Sequence, residues 1–151
     1  MFGRLFPQSV DNTYPGHKAA LWLFGLVVAV RIIQSVNIIF NGYSVARNAD
    51  GIPLDTFPPA AAQTVVALFA LSALYRLILS LLCVLVLVRY RRAIPFMFAV
   101  LALNYLAAQL ILRFLPLAST GTPPGPAVNL ITLALVIAGL ALSLRSWSIR
   151  T

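Results

Sequence analysis

The sequence predicts an all-α fold, a polytopic membrane protein built as a four-transmembrane-helix bundle with both termini on one side. Three observations predict it. The chain has 151 residues, of which 61% are hydrophobic and only 9% charged, more apolar surface than a soluble domain of this length can bury. The apolar residues gather in four runs, each near the roughly 20 residues that a helical span needs. Prolines sit between the runs and at their starts and never deep inside one, which suits helices, because proline is tolerated in a first turn and breaks an interior.

The predicted spans are Ala19 to Phe40, Ala61 to Val88, Ile94 to Leu115 and Ala127 to Leu144. They make one transmembrane domain over residues 1–151 and leave no room for a soluble one. Open strands would leave backbone groups unpaired in lipid, so helices are required. Pro7 and Pro15 precede the first span. Pro53, Pro58 and Pro59 lie before the second, Pro95 and Pro116 bound the third, and Pro123, Pro124 and Pro126 precede the fourth. The second run exceeds the hydrocarbon thickness, so tilt or projection is expected. No cleavable signal peptide is evident, since the first run is too long and lacks a small-residue cleavage site.

The loop charges predict orientation. Arg4 and Lys18 precede the first span, Arg89, Arg91 and Arg92 fill the short second loop, and Arg145 and Arg150 follow the fourth span. The first loop carries Arg47 against Asp50 and Asp55, and the third, from Pro116 to Pro126, carries no charge. The positive-inside rule then places both termini and the second loop in the cytoplasm of a bacterial inner membrane. Trp22, Tyr90 and Trp147 fall at that same interface, where amphipathic rings are favoured. In the first loop, Asn48 to Gly51 reads as a turn. The rest is either solvated or, through Ile52, Leu54 and Phe57, folded back on the mouth of the bundle.

Polar residues inside the spans carry the functional information. A charge at mid-membrane costs about 2.5 to 3.5 kcal/mol on insertion scales and normally faces protein or water. Arg31 and Arg76 lie near the middle of the first two spans, and no span holds an acidic residue. Arg31, Gln34, Ser35, Asn37 and Asn41 share one side of the first helix at roughly 100° per residue. Ser72, Arg76, Ser80 and Cys83 form a stripe on the second, and Asn129, Thr132, Gly139 and Ser143 one on the fourth. Asn104 is expected at the level of the two arginines, while Arg113 snorkels near the opposite surface. The candidate ligand-binding residues are therefore Arg31, Gln34, Arg76 and Asn104. Two guanidiniums without a carboxylate repel in a low dielectric. Three resolutions are open: Gln34, Asn104, Tyr75 and backbone carbonyls solvate them structurally, a water-filled cavity admits counterions, or an anionic ligand or a partner's acidic residue sits between them. Small residues at Ala134 to Ala138 and at Gly139 to Ser143 suggest close packing of the fourth helix.

Other chemistries are poorly supported. The net charge of +8 is explained by topology, so nucleic acid is not expected as a partner. His17 is the only histidine and Cys83 the only cysteine, so no metal, haem or disulfide centre is expected. Cys83 reads as a small buried hydrophobe. Asp50 and Asp55 suit turns or pairing with Arg47 better than a shared cation. No catalytic residue and no cofactor is assigned, and the enzyme question leans toward no. Expected partners are membrane lipids, a membrane protein or a second copy of the chain.

An Arg-bearing first helix leads through Gly42 to Asp50-Gly51-Ile52-Pro53, and the second ends in Arg89-Tyr90-Arg91-Arg92. In these features the first three helices resemble the DoxX-like group of small four-helix bacterial membrane proteins. The acidic residue that group carries in its second helix has no counterpart here. As a whole the chain is similar to small four-helix inner-membrane proteins of alpha-proteobacteria. The resemblance implies an accessory role in membrane redox chemistry. The residues by themselves suggest a non-enzymatic accessory or lipid-associated module, with a small transporter or anion-binding protein built on Arg31 and Arg76 as the alternative.

Overall fold

The structure is a computed structural model that describes residues 11–14 and 16–145. Arg4, Pro7, Pro15, Trp147 and Arg150, to which the sequence gives boundary or interfacial roles, lie outside the described residues. Four helices make up the fold: α1 (Lys18–Asn48), α2 (Pro59–Arg89), α3 (Ile94–Phe114) and α4 (Pro124–Leu144). There is no β-strand among the described residues. Each helix is long and apolar enough to cross a membrane, and only 22% to 39% of each apolar window is buried inside the molecule. The rest of that apolar surface needs lipid to cover it.

Two boundaries differ from the expected ones for the same reason. The second helix begins at Pro59 rather than Ala61, and the fourth at Pro124 rather than Ala127. Their prolines occupy the first turn, where a missing N–H breaks no helical bond. At the start of α1 the His17 side chain accepts from the Ala19 N–H at 3.1 Å and caps the helix.

The largest correction concerns the end of α1, which runs to Asn48 and not to Phe40. Asn41 and Gly42 resemble loop chemistry but lie inside the helix, where Asn41 has non-helical angles of φ −123° and ψ 32° and makes a kink. Gly42 is buried against Val66, with space for a Cβ only 3.2 Å from the Val66 side chain. At 1.5 Å per residue the 21 residues of α3 and of α4 span about 31 Å, whereas the 31 residues of α1 and of α2 measure about 46 Å along the helix, more than the hydrocarbon thickness. Beyond the bend, the end of α1 meets the start of α4: the Gly125 N–H donates to the Ala49 carbonyl at 2.8 Å.

The first connection folds back on the bundle. Ile52 and Leu54 are buried with Ala46 and Ala62, and Phe57, Val65, Val66 and Phe69 pack around them. Arg47 pairs with Asp55 at 2.8 Å, and the Tyr43 hydroxyl donates to the same carboxylate at 2.6 Å. The expected carboxylate partner of Arg47 is thus Asp55. At the other end of the bundle, Arg92 pairs with Asp11 at 2.9 Å and ties the residues before α1 to the α2–α3 turn. Two Thr13 hydrogen bonds, and then Arg92, hold the Asp11 carboxyl below its usual range.

The main apolar core lies toward that end. Phe24 of α1 meets Phe98 of α3 edge to face, with ring centroids 4.9 Å apart, a favoured geometry for aromatic pairs. Val27, Cys83, Leu101 and Val136 complete it. Gly139 and Ser143 of α4 are buried here, whereas Ala134 and Ala138 are exposed. Of the two small-residue pairs, the inward one is therefore Gly139 to Ser143. Contacts between helices are extensive for α1–α2, α1–α4 and α3–α4 and sparse for α2–α3. The four-residue connection joins α2 and α3 at one end.

Candidate functional site

Between the two apolar clusters lies a polar layer. Its residues come from the stripes that helical periodicity defines. Arg31 is 1% exposed and Ser35, one turn on, is fully buried. Asn37 receives a hydrogen bond of 2.9 Å from the Asn41 side chain at the kink. On α2, the buried Ser80 hydroxyl donates to the Arg76 carbonyl at 2.7 Å. On α4, Thr132 is buried and returns its hydroxyl proton to the Val128 carbonyl at 2.8 Å.

A cavity of about 350 Å³ opens in this layer among all four helices. Its polar lining is Gln34 and Asn37 of α1, Ser72 and Arg76 of α2, Asn129 of α4, and Asp50. Ile38, Phe69, Ala108, Leu112 and Val128 supply apolar wall. Arg31 lies one turn deeper than Gln34 on the same helix. Its Nε and Nη2 are buried and have no hydrogen-bond partner, and neither has the Ser35 hydroxyl. The guanidinium carbon stands 5.1 Å from the centre of the Tyr105 ring, a cation–π contact. Arg31 and Arg76 are close enough to repel each other electrostatically.

Asp50 is the residue that sequence reasoning missed. Helical spacing predicts an interior with no carboxylate, but Ala49 and Asp50, just after α1, line this cavity. Gly51 adopts φ +71°, open to glycine and strained for other residues. A Cβ there would also lie 3.0 Å from the Thr120 carbonyl. The Gly51 carbonyl accepts from the Thr120 N–H at 2.8 Å and from its hydroxyl at 3.2 Å. Gly125 leaves the space in which the Asp50 carboxylate rests, since a Cβ on Gly125 would strike it. Burial pushes the Asp50 carboxyl above its usual range, and Arg76 opposes that push.

The four candidate residues divide. Gln34 and Arg76 line the cavity together, and Arg31 is buried beneath. Asn104 is exposed and contributes nothing to the lining. α3 presents Phe98, Leu101, Ala102 and Tyr105 to the interior, and Asn104 lies about 120° round the helix from Phe98. Tyr105 takes the place beside Arg31 that Asn104 was expected to fill. Tyr75, the other expected solvating group, is 69% exposed.

Chemically, the site offers fixed positive charge, amide donors and one carboxylate at the rim. Guanidinium and amide groups of this kind hold anionic oxygens through charge-assisted hydrogen bonds. Among the described residues, no three His, Cys, Asp or Glu side chains converge as a metal would require. Four helices of membrane-crossing length around a charged interior define the class, a helical multi-pass membrane protein. No protein-family model, curated protein or solved structure matches the chain.

Proposed function

We propose that this is a non-enzymatic integral membrane protein that binds an anionic group, a phosphate or a carboxylate, in the cavity beside Arg76. The observation that carries the reading is the pair of arginines. Arg76 lines an open cavity whose largely apolar wall carries a few polar groups, and Arg31 is buried in the same bundle with two donors unpaired. A buried charge is normally paired and hydrogen-bonded, so an anion in the cavity completes an arrangement that the chain leaves open. The sparse packing of α2 on α3 beside this cavity suits entry of a lipid headgroup from the side.

Gentle solubilisation followed by mass spectrometry of the bound species tests this. Retained anionic phospholipid identifies a headgroup site, and a retained small phosphate or carboxylate identifies a solute site. Arg76→Gln is expected to lower retention at least tenfold, in line with about 1.5 to 3 kcal/mol for a hydrogen bond to a charged group. Arg76→Lys is expected to weaken it less, since lysine keeps the charge and loses the planar fork. No anion in the wild type, and a stoichiometric protein partner in its place, would favour the accessory-subunit reading.

The same proposal places the protein in a bacterial inner membrane with both termini cytoplasmic. Charge asymmetry supports it. Lys18, Arg89, Arg91, Arg92 and Arg145 collect at one end, while the other holds Arg113 and an Arg47 already paired with Asp55. Cysteines introduced at Ser44 and Thr122 are expected to react with an impermeant reagent in intact cells. One at Ser148, outside the described residues, is expected to stay unlabelled, and its labelling would reverse the orientation.

A further inference from the structure

We infer that Asp50 is a proton-binding site that couples anion binding to proton uptake, so that the cavity takes up its anion together with a proton. This rests on the anion-binding reading and adds its regulation. Asp50 and Arg76 line the same cavity. An arriving anion is attracted by Arg76 and Arg31 and repelled by the Asp50 carboxylate, both across a medium of low dielectric. Protonation removes the repulsion and turns the carboxylate into a hydroxyl donor. The bound state therefore prefers Asp50 neutral, and reciprocity requires anion binding to raise its proton affinity.

The surroundings single out Asp50 as the group that titrates. From α2 it faces Arg76, which lines the same cavity, while Arg31 of α1 lies buried deeper in the bundle. Arg47, three residues before it, is engaged by Asp55. On α3 the titratable and charged groups are Tyr105, under Arg31, and the exposed Arg113. The 115–123 connection and α4 carry no titratable group. Burial already holds the Asp50 carboxyl above the ordinary range. The sign follows: anion affinity is high below that raised pKa and falls as pH rises through it.

The test titrates the full-length, detergent-solubilised protein with phosphatidylglycerol from about pH 4.5 to pH 8, the range that brackets a raised carboxyl. The phosphodiester stays ionised throughout. Wild-type affinity is expected to fall on the order of tenfold across the range. Asp50→Asn is expected to bind at every pH as tightly as the wild type does at low pH. A second measurement needs no variant: in weak buffer, adding the lipid to wild type is expected to draw protons from solution. A flat wild-type profile, a slope retained by Asp50→Asn, or binding without proton uptake would each overturn the coupling and leave the anion site standing. Absence of any binding by the wild type would overturn both.

Discussion

Gly139→Leu is expected to lower stability by about 3 kcal/mol, the upper part of the usual cost of overpacking a core. A Cβ at position 139 would already enter the Phe98 ring. Phe98 has no room to retreat, because it is fully buried and stacks edge to face on Phe24. A leucine must therefore move α4 away from α3. Gly139→Ala is expected to show a smaller loss of the same sign, about 1 kcal/mol. Unfolding in detergent, followed by heat or denaturant, reads both. An unchanged transition for Gly139→Leu would mean that this face of α4 does not pack on α3.

Arg31→Met is expected to act in opposite directions on stability and on binding. In the unoccupied protein the Arg31 charge is buried with two donors unpaired. Its contact with Tyr105 is worth about 2 kcal/mol or more when desolvated, set against the roughly 2.5 to 3.5 kcal/mol that a mid-membrane arginine costs and the two donors left without a partner. Methionine is unbranched, shorter but adaptable in shape, and carries no charge. Replacing a poorly compensated buried charge by a packed apolar side chain is often stabilising. The ligand-free variant is therefore expected to be about 1 to 2 kcal/mol more stable, while its affinity for the anion falls. Melting curves with and without added phosphatidylglycerol separate the two effects. A destabilised ligand-free Arg31→Met would show that Arg31 holds the empty bundle together.

The sequence carried much of this arrangement, because depth and azimuth on a straight helix follow from residue spacing. Arg31 and Ser35, Ser80 and Cys83, and Thr132, Gly139 and Ser143 all face inward as their periodicity requires. It carried less where the backbone departs from a straight rod. Nothing in the spacing announces that Asn41 bends α1 instead of ending it, since Asn-Gly serves turns and kinks alike. By spacing alone Asp50 belongs to a loop beyond the membrane; in the fold it shares a cavity wall with Arg76. Asn104 failed for a narrower reason. A shift of one residue turns a side chain by about 100°, and packing of Phe98, Leu101 and Tyr105 fixed which side of α3 faces in. The apolar trio Ile52, Leu54 and Phe57 was legible only as two alternatives, and burial against Ala46 and Ala62 decides for the folded-back one.

The most direct test of the anion site is a high-resolution density map of the protein purified with its native lipids. The account predicts density for a non-protein anionic group within hydrogen-bond distance of the Arg76 guanidinium, between Gln34 and Asn129, and its loss in Arg76→Gln. A cavity filled by hydrocarbon or left empty, with Arg76 extended through lipid to the headgroup layer, would contradict it.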